Sequence, residues 1–142
     1  MGCPGGDCLR SHVNKTETEN ALVMVTKAGV PANKVLVGIS SYGRSFGMID
    51  PSCTGPMCKY GGSFDVSTAE AGQCTNTSGY ISNAELNDIM SNVNASQEGY
   101  KGRVWYDTES ASDMMVYGTT GKITTWVAYM ADDTKNERID WV

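Results

Sequence analysis

Residues 34–46 constrain the fold of this chain more than any other stretch. Their first part, residues 34–39, is apolar beyond its lysine and one glycine, which is typical of a strand buried on both faces in a parallel α/β sheet. The sequence then changes to small polar residues with Tyr42, Arg44 and Phe46. Such residues at the carboxyl end of a buried strand are typical of the active-site rim of an α/β barrel. We therefore expect a buried strand over residues 34–39 that leads into a functional cleft.

Charge and composition exclude several kinds of partner. The 142 residues suffice for one domain with a real core. Eleven basic and 16 acidic side chains give a net charge of −5, so neither nucleic acid nor an anionic membrane is an expected partner. No apolar run is long enough to cross a bilayer. The abundance of glycine, serine, threonine and asparagine favours a loop-rich extracellular protein.

The cysteines predict disulfide bonds and an oxidising compartment. They form two C-x4-C pairs and one single residue, namely Cys3, Cys8, Cys53, Cys58 and Cys74. His12 stands in no matching spacing, so a zinc site is disfavoured, and no metal or other cofactor is expected. We expect a Cys3–Cys8 bond and at least one bond among the other three cysteines, whose pairing stays open. Residues 47–79 are poor in apolar side chains and need such a link to hold an irregular structure.

Three glycosylation sequons support the same compartment. They begin at Asn14, Asn76 and Asn94. No signal peptide opens the chain, since Met1 is followed by glycines, a cysteine and a proline. The simplest expectation is a segment of a longer secreted protein. The alternative is a complete cytosolic protein with five reduced cysteines.

The first predicted element is a helix that precedes residues 34–46. Asn14 or Thr16 can cap it, and each has a glutamate three residues later. Its apolar face consists of four residues at helical spacing, namely Ala21, Leu22, Val25 and Ala28. Gly29 and Pro31 end the helix. This helix, a short loop and the buried strand would form half of a βαβ unit.

The second half of the chain predicts an α+β module. A short strand over residues 79–81 leads into a capping box formed by Ser82 and Glu85, and a helix follows. Three strand-like runs come next, over residues 103–107, 112–117 and 123–130. A hairpin-type turn at residues 118–122 joins the last two runs. A further helix is predicted to start at residues 132–134.

Four motifs in this order resemble glycoside hydrolase family 18, the chitinases. They are Y-G-R-S-F at 42–46, C-T-G-P-M-C at 53–58, A-G-Q-C-T-N-T-S-G-Y-I-S-N-A-E at 71–85 and W-V-A-Y-M-A-D-D at 126–133. The cysteine-bearing motifs resemble fungal-type chitinases and chitinase-like killer-toxin subunits. The resemblance implies a fragment of a (β/α)8 TIM barrel that carries an inserted α+β domain with an antiparallel sheet. The barrel would provide residues 1–46, the insertion residues 47–130, and the next barrel helix would begin within 131–142.

The resemblance also implies an activity and shows what this chain lacks for it. Family 18 hydrolyses β-1,4-linked N-acetylglucosamine polymers with retention, and the substrate's own acetamido oxygen is the nucleophile. The acid belongs to a D-x-x-D-x-D-x-E motif, which does not occur in this chain. The nearest candidate, Asp107-Thr108-Glu109, has one aspartate instead of three. We therefore expect no catalytic residue here and no hydrolysis by the chain alone.

By the same resemblance, four residues are candidates for contact with chitin or chito-oligosaccharide, namely Tyr42, Arg44, Tyr80 and Glu85. An ion pair that fixes the strand end is the alternative role of Arg44, and helix capping is that of Glu85. Trp105, Tyr106 and Trp126 can stack on sugar rings, but their strand pattern favours core packing.

Two other functions stay open at the level of the sequence. One is a module that binds chito-oligosaccharide without cutting it. The other is a small secreted interaction protein linked by disulfides, whose likeness to chitinases is ancestral only. In every case a strand at residues 34–39 without neighbours would expose apolar surface, so the isolated chain is expected to associate through it.

Overall fold

The computed structural model describes residues 3, 5–63 and 65–141. The helices are α1 (Lys15–Lys27), α2 (Asn83–Asn94) and α3 (Asp132–Trp141), and a short 3-10 turn spans Ala32–Lys34. The strands are β1 (Tyr42–Gly47), β2 (Tyr80–Ser82), β3 (Lys101–Asp107), β4 (Ser112–Gly118) and β5 (Thr125–Tyr129). None of the described helices is long and apolar enough to span a membrane.

One antiparallel sheet organises the fold. Its strand order is β2-β1-β5-β4-β3, and every pairing is antiparallel. The last three strands form the meander that the sequence predicts, with a turn at residues 119–124 between β4 and β5. In β1, Arg44 pairs with Ala128 of β5 on one side and with Tyr80 of β2 on the other. The sheet therefore continues across the predicted domain boundary at residues 46 and 47.

Each face of the sheet carries its own apolar cluster. Helix α2 covers one face, where the buried residues are Ile81, Leu86, Ile89, Met115, Tyr117, Val127 and Tyr129. The amino-terminal loop and the loop after β1 cover the other face, where Leu9 and Cys58 cluster with the sheet residues Met114, Val116, Trp126 and Ala128. The sheet is thus a buried central layer rather than a two-sided solvent-exposed ribbon.

Both predicted helix caps at the start of α1 and α2 are present. The Asn14 side chain accepts a hydrogen bond from the Glu17 N–H at 3.0 Å. The Ser82 side chain accepts one from the Glu85 N–H at 3.3 Å, and the Glu85 carboxylate accepts one from the Ser82 N–H at 3.2 Å. Helix α1 nevertheless buries none of its side chains, and Met24 is 68% exposed.

The prediction of a buried strand over residues 34–39 is wrong. Lys34 ends the 3-10 turn, residues 35–40 belong to no strand, and the side chain of Leu36 is 99% exposed. The strand begins later, at Tyr42. The apolar run has no neighbouring strand in the described part of the chain, and without such a neighbour its backbone cannot pair and its side chains cannot be buried on two faces.

Two disulfide bonds link the irregular regions, as the sequence predicts. Cys3 bonds to Cys8, and Cys53 bonds to Cys58. Cys74 is free and exposed. The long segment between β1 and β2 also contacts the sheet through Glu70, whose carboxylate accepts hydrogen bonds from the N–H and hydroxyl of Thr119 at 3.0 and 2.8 Å. The segment lacks helices and strands of its own in its described residues and is held by these cross-links.

Candidate functional site

Three rings lie together beside the pairing of β1 with β2. The His12 and Tyr42 rings stack with centroids 5.5 Å apart at 18°, and the Tyr42 and Tyr80 rings tilt at 49° with centroids 5.0 Å apart. Tyr42 begins β1, Tyr80 begins β2, and the amino-terminal loop carries His12. We call these three residues the aromatic cluster. It joins two strands and a loop that are far apart in sequence.

The glycine between Tyr42 and Arg44 allows the strand to approach its neighbour. Tyr42 and Arg44 alternate with Gly43, so their side chains share one face of β1. Gly43 faces the other way, where an added Cβ would overlap Val127 Cγ2 and lie 3.0 Å from the Ala128 carbonyl oxygen. A side chain at position 43 would push β1 away from β5 and displace both residues.

Arg44 extends the aromatic cluster with a positive charge. Its guanidinium carbon lies 5.8 Å from the Tyr42 ring centroid, and the side chain is exposed. It forms no ion pair with any carboxylate in the described part of the chain. The geometry thus leaves the guanidinium donors open to solvent or to a ligand.

Glu85 lies deeper and has a different role. Its side chain is 7% exposed and accepts five hydrogen bonds, from Ser82 N–H and hydroxyl and from Cys74 N–H, Thr75 N–H and Thr75 hydroxyl. Burial raises the pKa of Glu85, but these hydrogen bonds outweigh it and lower the pKa to about 2. The carboxylate joins the loop at residues 72–75 to the start of α2, which favours the capping role over contact with a ligand.

Comparison with curated proteins identifies the relatives of this chain. No family profile matches it. Probable chitinase LysM11 of Penicillium expansum is 76% identical over 142 residues, which are 100% of this chain and 13% of the relative. Secreted chitinase LysM12 of the same fungus is 51% identical over 137 residues, 96% of this chain and 9% of the relative. Killer toxin subunits alpha/beta of Kluyveromyces lactis are 34% identical over 109 residues, 77% of this chain and 9% of the relative.

Solved structures share the fold. The immunomodulatory active chitinase TsES1 of Trichuris suis matches with a TM-score of 0.69 and 20% identity, over 95% of this chain and 33% of that one. A GH18 chitinase mutant of Cycas revoluta, in complex with (GlcNAc)4, matches with a TM-score of 0.64 and 19% identity, over 94% and 32%. The chain is homologous to one segment of Penicillium expansum proteins that are named chitinases, and it shares the fold of solved chitinases. It spans about a tenth of the curated relatives and a third of the solved chitinases.

His12 is the member of the aromatic cluster that sequence reasoning missed. His12 is exposed at the surface, yet one face of its ring packs on Tyr42 beside the positive Arg44. Burial of the ring, followed by the charge of Arg44, lowers the pKa of His12 from 6.5 to about 4. The imidazole is therefore neutral at neutral pH and keeps one nitrogen as an acceptor and one as a donor. No local motif marks His12, because its neighbours come from β1 and β2.

The charge of Arg44 should have a measurable effect on the pKa of His12. Substitution of Arg44→Gln removes the positive charge beside the imidazole, so the pKa of His12 should rise toward its ordinary value, although burial keeps it below 6.5. The measurement is an NMR titration of the imidazole protons. Arg10→Gln, in the same loop, is the matched control and should leave the pKa unchanged. An unchanged His12 pKa after Arg44→Gln would show that the two groups are not in contact.

Of the three aromatic residues that the sequence assigns to core packing, Trp105, Tyr106 and Trp126, only Trp126 is buried. Trp126 is 2% exposed and packs in the cluster that contains Leu9 and Met114, so the prediction of core packing is confirmed for it. Trp105 is half-buried under the Arg103 guanidinium, which lies 4.8 Å from its ring centroid. Tyr106 is 44% exposed. A pocket of about 570 Å³ is lined by both tryptophans and by residues of the amino-terminal loop.

The acidic turn after β3 has a structural role. The Asp107 carboxylate accepts a hydrogen bond from the Ser110 N–H at 2.9 Å and another from the Ser110 hydroxyl. These contacts hold the turn that joins β3 to β4. Asp107 is therefore engaged as a turn-forming group.

Proposed function

We propose that this chain forms part of the wall of a chitinase cleft. The enzyme hydrolyses β-1,4-linked N-acetylglucosamine polymers with retention, by attack of the substrate's acetamido oxygen. The observation that carries the proposal is the aromatic cluster beside an arginine without an ion-pair partner in the described chain. The names of the relatives, probable chitinase LysM11 and secreted chitinase LysM12, support it. By the same argument the chain acts outside the cell, in keeping with its two disulfides.

Tyr42, Tyr80 and Arg44 have the chemistry that binds a sugar chain. The apolar faces of pyranose rings stack on aromatic rings, which Tyr42 and Tyr80 provide. The planar guanidinium of Arg44 can donate two hydrogen bonds to an acetamido oxygen or to adjacent hydroxyls. Glu85 supports this wall by fixing the loop that leads into β2, rather than by binding sugar itself.

The chain contributes binding and not proton transfer. Cleavage requires a carboxylic acid that protonates the leaving oxygen, and aspartates that hold the acetamido group in line. The D-x-x-D-x-D-x-E motif that would carry them is not in this sequence. A longer protein supplies the acid in this proposal, and its barrel covers residues 35–40 and helix α1, whose apolar side chains are partly or fully exposed here.

The test is a chimera with a relative. The 142 residues of this chain replace the equivalent segment of probable chitinase LysM11, with which the chain aligns over its full length. Once the chimera hydrolyses chito-oligosaccharides, Arg44→Ala should lower kcat/KM on short oligomers by roughly five- to a hundred-fold, the loss typical of charged hydrogen bonds. Arg103→Ala is the matched control, since Arg103 is also exposed but lies on β3.

Two results would contradict the proposal. The first is a kcat/KM that Arg44→Ala and Arg103→Ala reduce equally, or that neither reduces. The second is release of oligosaccharide from chitin by the purified 142-residue chain, which would reveal an acid that this sequence does not display.

Binding without hydrolysis is the second candidate function. One observation favours it, since the strands and the loop that carry the aromatic cluster all lie within this chain. If the chain acts alone as a binding module, chito-oligosaccharide should shift the NMR signals of His12 and Tyr42. A chimera whose activity is insensitive to Arg44→Ala, together with such shifts, would favour this function over the first.

A further inference from the structure

We propose that Asn76 and Asn94 each carry an N-linked glycan. Both begin sequons, Asn76-Thr77-Ser78 and Asn94-Ala95-Ser96, and both side chains are exposed. This modification goes beyond the proposed function and depends only on passage of the chain through a eukaryotic secretory pathway.

Asn76 lies on a protruding turn in the loop before β2. Its φ of 43° is left-handed, a conformation that asparagine adopts more readily than most residues. The Asn76 N–H donates to the Gly72 carbonyl at 3.0 Å, and the Ser78 hydroxyl donates to the Ala69 carbonyl at 2.8 Å. These contacts fix the turn, and residues 76–78 are all exposed. A glycan at Asn76 extends outward without displacing a packed group.

Asn94 lies at the last residue of α2. The following Ala95 caps the helix, and Ser96 has a φ of 54°, so the sequon coincides with the point where the chain leaves the helix. All three residues are exposed. In the described part of the chain no hydrogen bond engages the side chain of Asn94 or of Asn76. Both carboxamide nitrogens are therefore available for substitution in the folded protein.

Asn14, which begins the third sequon, differs from these two. It is half-buried, its carboxamide oxygen caps α1, and it borders the cavity beside Trp105. A glycan there would crowd the cap and the amino-terminal loop that carries His12. We therefore assign no glycan to Asn14, which makes the proposal selective among the three sequons.

The chemical step is a transfer from a polyprenyl-pyrophosphate-linked oligosaccharide. The carboxamide nitrogen of the asparagine forms a bond to C1 of the first N-acetylglucosamine. The bond between C1 and the pyrophosphate oxygen breaks, the nitrogen loses one proton, and the lipid pyrophosphate leaves. The step changes no oxidation state and uses no other reactant. Two disulfides in this chain and the name of the relative secreted chitinase LysM12 favour the compartment in which this donor occurs.

The Asn94 site leaves the aromatic cluster uncovered. Helix α2 has 12 residues and so extends roughly 18 Å at 1.5 Å per residue. Ser82, at its amino-terminal end, follows Tyr80 closely, whereas Asn94 is at the opposite end. A glycan on Asn94 can cover the outer surface of α2 while the cluster stays open. Asn76 is nearer to Tyr80 in sequence, so its glycan flanks the proposed wall.

The experiment is site mapping on the protein secreted from a eukaryotic host. Peptide-N-glycosidase in heavy-oxygen water converts each glycosylated asparagine to a labelled aspartate, which peptide mass spectrometry locates. We expect label at Asn76 and Asn94 and none at Asn14. Asn76→Gln and Asn94→Gln should each remove one step of the glycan-dependent mass, and the double variant should remove both.

Hydroxyl variants separate the modification from a folding defect. Ser96→Ala keeps Asn94 but should abolish its label, and Ser96→Thr should restore it. Ser78→Ala and Ser78→Thr are the equivalent pair for Asn76. Absence of label at either Asn76 or Asn94 in the unsubstituted secreted protein would overturn the assignment of that site. Label at Asn14 would contradict the proposal that only the exposed sequons carry a glycan.

Discussion

Substitution of Glu85→Ala should lower the free energy of unfolding by about 3 kcal/mol. The carboxylate accepts five hydrogen bonds that join the loop at residues 72–75 to Ser82 at the start of α2. Alanine leaves the N–H groups of Cys74, Thr75 and Ser82 without this acceptor in a partly buried place. Urea denaturation at pH 7 measures the change.

A conservative variant separates charge from shape at this position. Glu85→Gln keeps one acceptor oxygen, so it should lose about half as much stability as Glu85→Ala. Asp88→Ala is the matched control, since Asp88 lies one turn further along α2 and is exposed. If Glu85→Ala and Asp88→Ala differ by less than about 0.5 kcal/mol, the network has no net effect on stability.

Glu85 also predicts how stability depends on pH. Its pKa is lowered from 4.5 to about 2, so its contribution is present above pH 4.5 and is lost as pH falls through that range toward 2. His12 acts in the same direction at higher pH. Its folded pKa of about 4 is below 6.5, so the unfolded chain binds the proton first and stability falls below pH 6.5. When denaturation is measured at several pH values, the free energy of unfolding of Glu85→Gln should fall less steeply below pH 4.5 than that of the unsubstituted chain.

Gly43→Ala should destabilise the chain by about 2 to 4 kcal/mol and disrupt the aromatic cluster. The added methyl group would overlap Val127 Cγ2 and crowd the Ala128 carbonyl, so β1 must move away from β5. Because Tyr42 and Arg44 flank this residue, the His12–Tyr42 stacking should weaken as well. Denaturation gives the stability, and the NMR shift of His12 reports the stacking.

The control for this prediction is another glycine with open surroundings. Gly55 has a negative φ, and no described atom lies within 4 Å of the place that an added methyl group would occupy, so Gly55→Ala should be neutral or slightly stabilising. A Gly43→Ala chain as stable as Gly55→Ala, with an unchanged His12 signal, would show that the sheet adjusts at little cost.

Local chemistry explains what the sequence predicts well. The capping box at Ser82 and Glu85 involves residues three apart, so its geometry is contained in a few consecutive residues. The bonds Cys3–Cys8 and Cys53–Cys58 likewise close short loops. The meander β3-β4-β5 connects neighbouring strands through short turns. The resemblance to chitinases adds the candidate residues of the wall, whose contact with sugar stays a prediction.

Non-local pairing explains what the sequence predicts poorly. The apolar run at residues 34–39 is typical of a buried strand, but burial needs neighbours that these residues do not find in the described chain. The pairing of Arg44 with Ala128 joins residues far apart in sequence, and no local pattern specifies that register. His12 was missed for the same reason, since only the assembled sheet brings it to Tyr42.

The adjacency of β1 and β5 has an evolutionary consequence. Gly47 and Thr125 are directly paired across these strands, so the chain departs from and returns to nearly the same point, about 5 Å apart. Residues 48–124 therefore form a segment whose two ends lie close together in space. During evolution this segment could be lengthened, shortened or replaced without a change in the path of the chain on either side. The length and sequence of residues 48–124 can therefore vary while the path of the surrounding chain stays constant.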